Sequence, residues 1–284
     1  MKTFLLGTGC QKGGTTWLHD YLRQSSQYVH GYRKEYHVFD GLDLPTEKRH
    51  RTRVVRLATE ALEAIRRNEP VDAGALHRAS MYADTTMYFD YFAGLLGQAD
   101  DARLATDMTP SYSMLSSGRL SMIRDAFAER GVRVATVFLL RDPVERLWSQ
   151  LRMHERMFPG ILAAPSEQVL LENYHEPQYA LRTRYDLTIR RLDAVFEPED
   201  VHYAWYESLF REAEIRSICT LLGIDFHPPA FERRVHASPK GTRALSEDTV
   251  RTVATHFREV YEFVSSRFPD VDLEALWPST RYLE

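Results

Sequence analysis

The sequence predicts an α/β fold: a P-loop-like, mainly parallel central sheet flanked by helices, with inserted helical and loop lids. Three observations predict it. Short apolar runs at Thr3–Thr8, Val132–Leu140 and Val201–Tyr206 are each followed by a helical pattern, and strands alternating with helices imply parallel pairing through crossovers. The second run, VRVATVFLL, is apolar almost throughout, as suits a strand buried on both faces. The first run leads through a glycine-containing loop into a helix, which brings backbone N–H groups and a helix N-terminus to bear on an anion.

The elements follow in order. From Thr15, Trp17, Leu18, Tyr21 and Leu22 recur at i, i+1, i+4 and i+5, one face of a helix. After Leu140, Asp142 and Pro143 read as N-cap and first helical residue. After Tyr206 a helix runs to Gly223, a stop signal. Thr46–Asn68 is helical in pattern and rich in arginine, and Phe158–Gln168 and Phe226–Ser246 read as loops. Glu247–Arg267 reads as one closing helix. No repeat or linker divides the chain, so the expectation is one domain over residues 1–284, with residues 46–100 a helical insertion.

Composition narrows the function. Hydrophobic residues make up 44% and charged residues 27%, enough for a sizeable core. A net charge of -4 disfavours general binding to nucleic acid or anionic membrane. Two cysteines, Cys10 and Cys219, are too few for a disulfide framework and form no C-x-x-C zinc pair. No apolar run reaches the ~20 residues of a membrane span, and TFLLGTG is too short for a signal peptide. A cytoplasmic location is expected.

Two constellations carry chemistry. In GCQKGGTTWL, Lys12 precedes Gly13-Gly14, whereas a nucleoside-triphosphate loop, G-x-x-x-x-G-K-[ST], has its lysine after the last glycine. The glycines let the backbone approach a phosphate, Thr15 and Thr16 add hydroxyls, and Lys12 adds a point charge. The plainer alternative is a glycine turn capped by threonine. In LLRDPVERLWSQ, Arg141 ends the buried strand and Ser149 lies about two helical turns on. Ligands of open α/β sheets bind at the carboxyl ends of strands, where arginine offers a planar fork for phosphate. Alternatively Arg141 pairs with Glu145.

Together these motifs resemble the sulfotransferases that use 3′-phosphoadenosine-5′-phosphosulfate (PAPS). QKGGTTWL is similar to the family's 5′-phosphosulfate loop, and LLRDPVERLWSQ to its 3′-phosphate motif. YRKEYHVFD (Tyr32–Asp40) resembles the Lys-Glu-x-His-Phe-Phe-Asp segment of the Golgi heparan-sulfate branch and its bacterial relatives, and DMTPSYS (Asp107–Ser113) that branch's Lys-Thr-Pro-x-Tyr segment. VHYAWYESL resembles the strand with Tyr-Glu-x-Leu found in many members. The resemblance runs from Thr3 to about Arg267 and is weakest between Asp43 and Ala102.

The resemblance implies a role for each residue. Lys12 would hold the bridging region of the phosphosulfate, and Gly13, Gly14, Thr15 and Thr16 the 5′-phosphate. Trp17 would stack on adenine, or serve as a core aromatic. Arg141 and Ser149 would hold the 3′-phosphate, with Lys240, Gly241 and Thr242 closing over it. PAPS would be the donor and adenosine 3′,5′-bisphosphate the product. The donor carries its own activated sulfate, so no metal is demanded. The acceptor hydroxyl must lose a proton. Glu35 is the implied base, with Lys34 beside it at the sulfuryl group or the acceptor. His37 and Asp107 are the competing bases. The acceptor is expected to be a carbohydrate or another aliphatic alcohol, with phenol or lipid left open. Residues 46–100 would lie near it. Lys48, Arg49, Arg51, Arg53, Arg56, Arg66 and Arg67 form either an anion-binding face or a solvated helix face. Arg182, Arg184 and Tyr185 are further candidates to face the acceptor. The alternatives are a nucleotide-dependent kinase, which would need Mg²⁺ and a differently placed lysine, and a non-catalytic nucleotide- or glycan-binding relative.

Overall fold

The computed structural model describes residues 1–158, 160, 167–231 and 244–283. Among these, β1 (Thr3–Gly7), β2 (Leu104–Asp107), β3 (Arg133–Leu140) and β4 (Val201–Trp205) form one parallel sheet in the order β2-β1-β3-β4. Helices α1 (Thr15–Leu22), α2 (Phe39–Asp43), α3 (Lys48–Arg66), α4 (Ala73–Ala83) and α5 (Thr86–Leu96) lie between β1 and β2. Helix α6 (Ser117–Ala128) leads to β3, and α7 (Pro143–Met157), α8 (Glu167–Asn173), α9 (Pro177–Ala180) and α10 (Tyr185–Asp193) lead to β4. Helices α11 (Glu212–Leu222), α12 (Glu247–His256), α13 (Arg258–Arg267) and α14 (Leu273–Leu276) complete the chain. Among the described residues no helix is long and apolar enough to cross a membrane.

The strands alternate between two apolar layers, as their period of two requires. Phe4 and Leu6 of β1 and Val134, Phe138 and Leu140 of β3 face the larger core, with α5, α6, α10, α12 and α13. Leu5, Ala135, Val137 and Leu139 face the other, with α1 and α11. Two-sided burial makes the sheet a stiff base, and it fixes where the strands end. Strands β2 and β3 flank β1, so the winding reverses between β1 and β3. The loops after these two strands therefore open onto one crevice.

Three details differ from the sequence reading. Strand β2 was not expected: LATD is too short to show a period. The helix before Gly223 starts at Glu212 rather than near Glu207, and Gly223 caps it at φ 67°. The closing helix is broken at Phe257 into α12 and α13. Val253, Phe257, Val260 and Val264 are all buried, so the apolar period passes through the break without marking it.

One buried cation ties α7 to the chain beneath the crevice. Arg146 is fully buried and donates to Thr183 Oγ1 (3.1 Å), Gln150 Oε1 (2.9 Å) and Tyr179 O (3.0 Å), all neutral. Arg146→Ala should leave Gln150 Oε1 unpaired beside a cavity, Tyr179 O keeping its bond from Thr183 Oγ1, and cost about 3 kcal/mol or more. The expected result is a lower urea midpoint at unchanged m-value.

Candidate active site

The loop after β1 is pinned to β3: Cys10 N donates to Leu139 O (2.7 Å) and Leu139 N to Gly9 O (2.8 Å). Its glycines are needed sterically. A Cβ on Gly13 would lie 3.0 Å from Leu139 O, and Gly14 adopts φ 98° at the start of α1. No side chain caps α1, so the N–H groups of its first turn face the crevice without a capping acceptor.

Lys12 reaches the same crevice with φ 70°. Burial lowers its ammonium to about 8, and the charges of Arg156, Arg141, Arg152 and Lys34 push the same way. Arg141, at the end of β3, donates to Lys12 O (3.0 Å), stacks over the Tyr206 ring (4.3 Å) and lies 3.6 Å from Glu145. The Glu145 alternative thus holds in part, as one contact among three. Ser149, Arg152 and Arg156 follow at helical spacing on the face of α7 that begins at Glu145. Sequence reasoning missed Arg152 and Arg156, although this spacing from Ser149 signals them.

A chain of ion pairs enters from the other side. Lys34 Nζ donates to Thr15 Oγ1 (3.2 Å), Thr16 Oγ1 (3.0 Å) and Glu35 Oε1 (2.9 Å). Glu35 Oε2 lies 3.2 Å from His37 Nε2, and His37 Nδ1 lies 2.7 Å from Oδ2 of the fully buried Asp40. Burial alone would raise Glu35, but the His37 bond and the Lys34 charge outweigh it and hold the carboxyl at about 2. Burial alone would lower His37, but its bonds to Asp40 and Glu35 raise it to about 9. His37 is therefore an imidazolium at neutral pH with both N–H groups engaged. It has no lone pair with which to accept a proton.

The segment bearing these residues is held from below. Asp107, at the end of β2, accepts from Tyr36 N (3.2 Å), Thr109 Oγ1 (2.6 Å), Tyr88 OH (2.9 Å) and Tyr112 OH (2.9 Å). It is fully buried, and burial raises it to about 6. Asp107 is thus no base for an incoming acceptor, because every group it meets is an internal donor. Arg78 donates to Tyr36 O and Tyr82 OH to His37 O, which together hold His37 at φ 55°.

Other expectations need correction. Arg182 is buried against Glu47, Arg184 pairs with Asp186, and Tyr185 is buried with its OH on Arg141 O (2.9 Å). Arg182 and Tyr185 have their polar groups taken inside the fold, and the half-buried Arg184 lies between Asp186 and the exposed Glu259. The basic residues Lys48, Arg49, Arg51, Arg53, Arg56, Arg66 and Arg67 are exposed, as both an anion-binding face and a solvated helix face would have them. Trp17 is buried, parallel to Tyr21 (6.0 Å) and Phe231 (5.9 Å) and edge-on to Phe210 (5.1 Å). Lys240, Gly241 and Thr242 lie outside the described residues. The ligand atoms of His37, Asp40 and His50 all lie within 4.8 Å of one another. The two imidazoles are stacked face to face (3.6 Å, 7°), and in-plane lone pairs of parallel rings do not converge on one cation. The cluster is better described as hydrogen-bonded ion pairs.

Comparisons with known proteins give the family and the fold. A family model described as "Sulfotransferase family" matches residues 5–228. Among solved structures, the chain is similar to a sulfotransferase from Alicyclobacillus acidocaldarius, at 16% identity over 94% of this chain and 95% of that one, with a TM-score of 0.56. It is also similar to the sulfotransferase domain of the Synechococcus PCC 7002 olefin synthase, at 18% identity over 90% and 94%, with a TM-score of 0.46. No curated protein matches the chain in sequence.

The clustered cations make a prediction that needs no ligand. Lys12 is lowered in the folded protein, so between about pH 8 and its unfolded value the unfolded chain binds more protons. Its contribution to stability therefore rises with pH through that window. Lys12→Met should stabilise the protein at neutral pH by about 1 kcal/mol, less than full linkage because the ammonium is partly hydrated. The gain should vanish above about pH 10. Urea midpoints of both proteins across pH check this, and a Lys12→Met protein less stable than wild type at neutral pH would contradict it.

Proposed function

The chain belongs to the sulfotransferase family, and we propose that it moves a sulfuryl group from PAPS to a hydroxyl of an acceptor, a carbohydrate or another aliphatic alcohol. The observation that carries this reading is the gathering of the charges of Arg156, Arg141, Arg152 and Lys34 around the buried Lys12, in the loop after β1. Lys12 is surrounded by like charge beside an uncapped helix N-terminus, an arrangement that a polyanion would relieve.

Lys12, Gly13, Gly14, Thr15 and Thr16 would hold the 5′-phosphosulfate. Arg141 and Ser149 would hold the 3′-phosphate, with Arg152 and Arg156 adding charge along the same helix face. Lys240, Gly241 and Thr242 are assigned to that phosphate as well. Phe210 and Phe231, packed on the buried Trp17, offer an aromatic wall to adenine. We read the chain as one domain, with α3–α5 an insertion beside the acceptor.

The donor supplies the activated sulfuryl group, and transfer forms a bond from acceptor oxygen to sulfur while the sulfur–phosphate oxygen bond breaks in line. Lys12 stabilises the charge growing on the departing phosphate. Glu35 takes the acceptor proton. His37, clamped by Asp40, aims Glu35, and Lys34 joins Glu35 to the loop hydroxyls. The Lys-Glu-x-His segment supports an aliphatic alcohol as acceptor. Because Lys12 precedes the loop glycines, kinase chemistry is disfavoured.

Two measurements test this reading. Adenosine 3′,5′-bisphosphate at about 100 times its Kd should stabilise the protein by about 2.7 kcal/mol, and AMP far less. Arg141→Ala should erase the difference, whereas equal shifts from both nucleotides in the wild type would remove the 3′-phosphate site. Glu35→Gln should bind the bisphosphate normally and lose about 10²–10⁴ in kcat with labelled PAPS and a panel of alcohols. Near-normal turnover of that variant would put the base elsewhere.

A further inference from the structure

A second carboxylate–imidazole pair lies behind the first. Glu47 ends a single 3-10 turn (Pro45–Glu47), and His50 lies in the first turn of α3. His50 Nε2 is 3.2 Å from Glu47 Oε2. The other Glu47 oxygen accepts from Arg182 Nη2 (2.5 Å), and Arg49 lies 3.6 Å away. Glu47 is 1% exposed and Arg182 6%, so both charges are withdrawn from water. A buried ion pair adds little stability over an apolar pair of similar volume, which makes packing alone a poor reason for this one. The His50 ring lies flat on His37 (3.6 Å, 7°). Asp40 and Glu35 fix the two ring edges of His37, and His50 covers one of its faces.

We propose that His50, held by Glu47 and Arg182, is a positioning residue for sulfuryl transfer: as a neutral ring it keeps the His37 imidazolium charged and aimed at Glu35. The inference rests on the reading of Glu35 as the base. Two imidazoles in face contact accommodate one charge readily and a second poorly. His37 has two carboxylate partners and takes that charge. A neutral His50 keeps Nε2 3.2 Å from Glu47 Oε2, a close contact outside hydrogen-bond geometry, and turns its π face to the cation. The charged or titratable groups facing His50 are Glu47, His37 and Asp40, with Arg49 and Arg182 acting through Glu47. Burial, and then the His37 charge, lower His50 below an ordinary histidine despite Glu47. As pH falls through the His50 titration, two cations face each other, His37 is displaced, and Glu35 loses its orientation. The rate should therefore show an acid limb set by His50.

The test combines imidazole NMR with pH–rate profiles of wild type, His50→Phe and His50→Ala. In ¹⁵N spectra assigned through His37→Gln and His50→Gln, His37 should be doubly protonated and His50 neutral near pH 7. The acid limb of the wild-type kcat should track the His50 titration. His50→Phe keeps a stacked ring that cannot charge, so at about pH 8 its kcat should stay within about threefold of wild type and its acid limb should move lower by about one pH unit. His50→Ala should lose about tenfold in kcat with the KM for PAPS unchanged. An unmoved acid limb in His50→Phe, or both rings charged near pH 7, would overturn the proposal. If the wild type proves inactive with every acceptor, the functional reading fails separately. The titrations need no substrate and still decide between neutral and charged His50.

Discussion

Like charge held together at one edge of the sheet is the constraint on which the rest of the structure depends. Lys12, Lys34, Arg141, Arg152 and Arg156 repel one another, and burial makes Lys12 costlier still. Such a cluster persists only where the backbone cannot relax away from it. Strands β1 and β3 are buried on both faces, and the loop between β1 and α1 is bonded directly to β3 at Cys10 and Leu139. Gly13 and Gly14 let that loop pass closely, and Arg141 reaches back to the Lys12 carbonyl. The core therefore serves as the clamp that keeps an unfavourable charge distribution in place.

The carboxylate side of the crevice obeys the complementary rule. Glu35, Asp40 and Glu47 are withdrawn from water to different degrees, and each has a cation within hydrogen-bond reach. Asp107 differs: its four donors are neutral, and burial shifts it upward. This contrast separates the acids that belong to the crevice from the one that holds its floor. Position in the chain does not separate them, since Asp107 and Glu35 both precede segments that the resemblance connects with the same site.

The placement of the glycine loop and of the strand-end arginine was legible because the signals are local. Lys12, Gly13, Gly14, Thr15 and Thr16 are consecutive, and Arg141 and Ser149 share a strand end and one helix. The three longer strands announced themselves by apolar runs, whereas β2 has four residues and shows no period. Pairings across long stretches of sequence were hidden. Arg182 meets Glu47 across 135 residues and Tyr36 meets Asp107 across 71. Arg182 looked like a free cation because its partner Glu47 ends a short turn just before α3, inside a run that reads as one solvated basic helix. His50 was hidden in the same way, its neighbours on α3 being exposed arginines and its own partner the one buried acid of the run.

Glu35 at about 2 is a weak proton acceptor, and general-base catalysis favours a value near the working pH. The geometry resolves this tension through Lys34, whose ammonium contacts both Glu35 and the hydroxyls of Thr15 and Thr16. Among the described residues Glu35 is the anion in contact with Lys34, and it takes the benefit of that charge. An anion seated on the loop competes for the same ammonium and adds negative charge nearby, and both effects raise a carboxyl. Exclusion of water strengthens each of them. On the proposed reading, Glu35 is thus a weaker base when the loop is empty and a stronger one as the loop fills, which would couple proton removal to the presence of the donor. His37 keeps Glu35 in place meanwhile, because its own charge is secured by the buried Asp40 rather than by Glu35 alone.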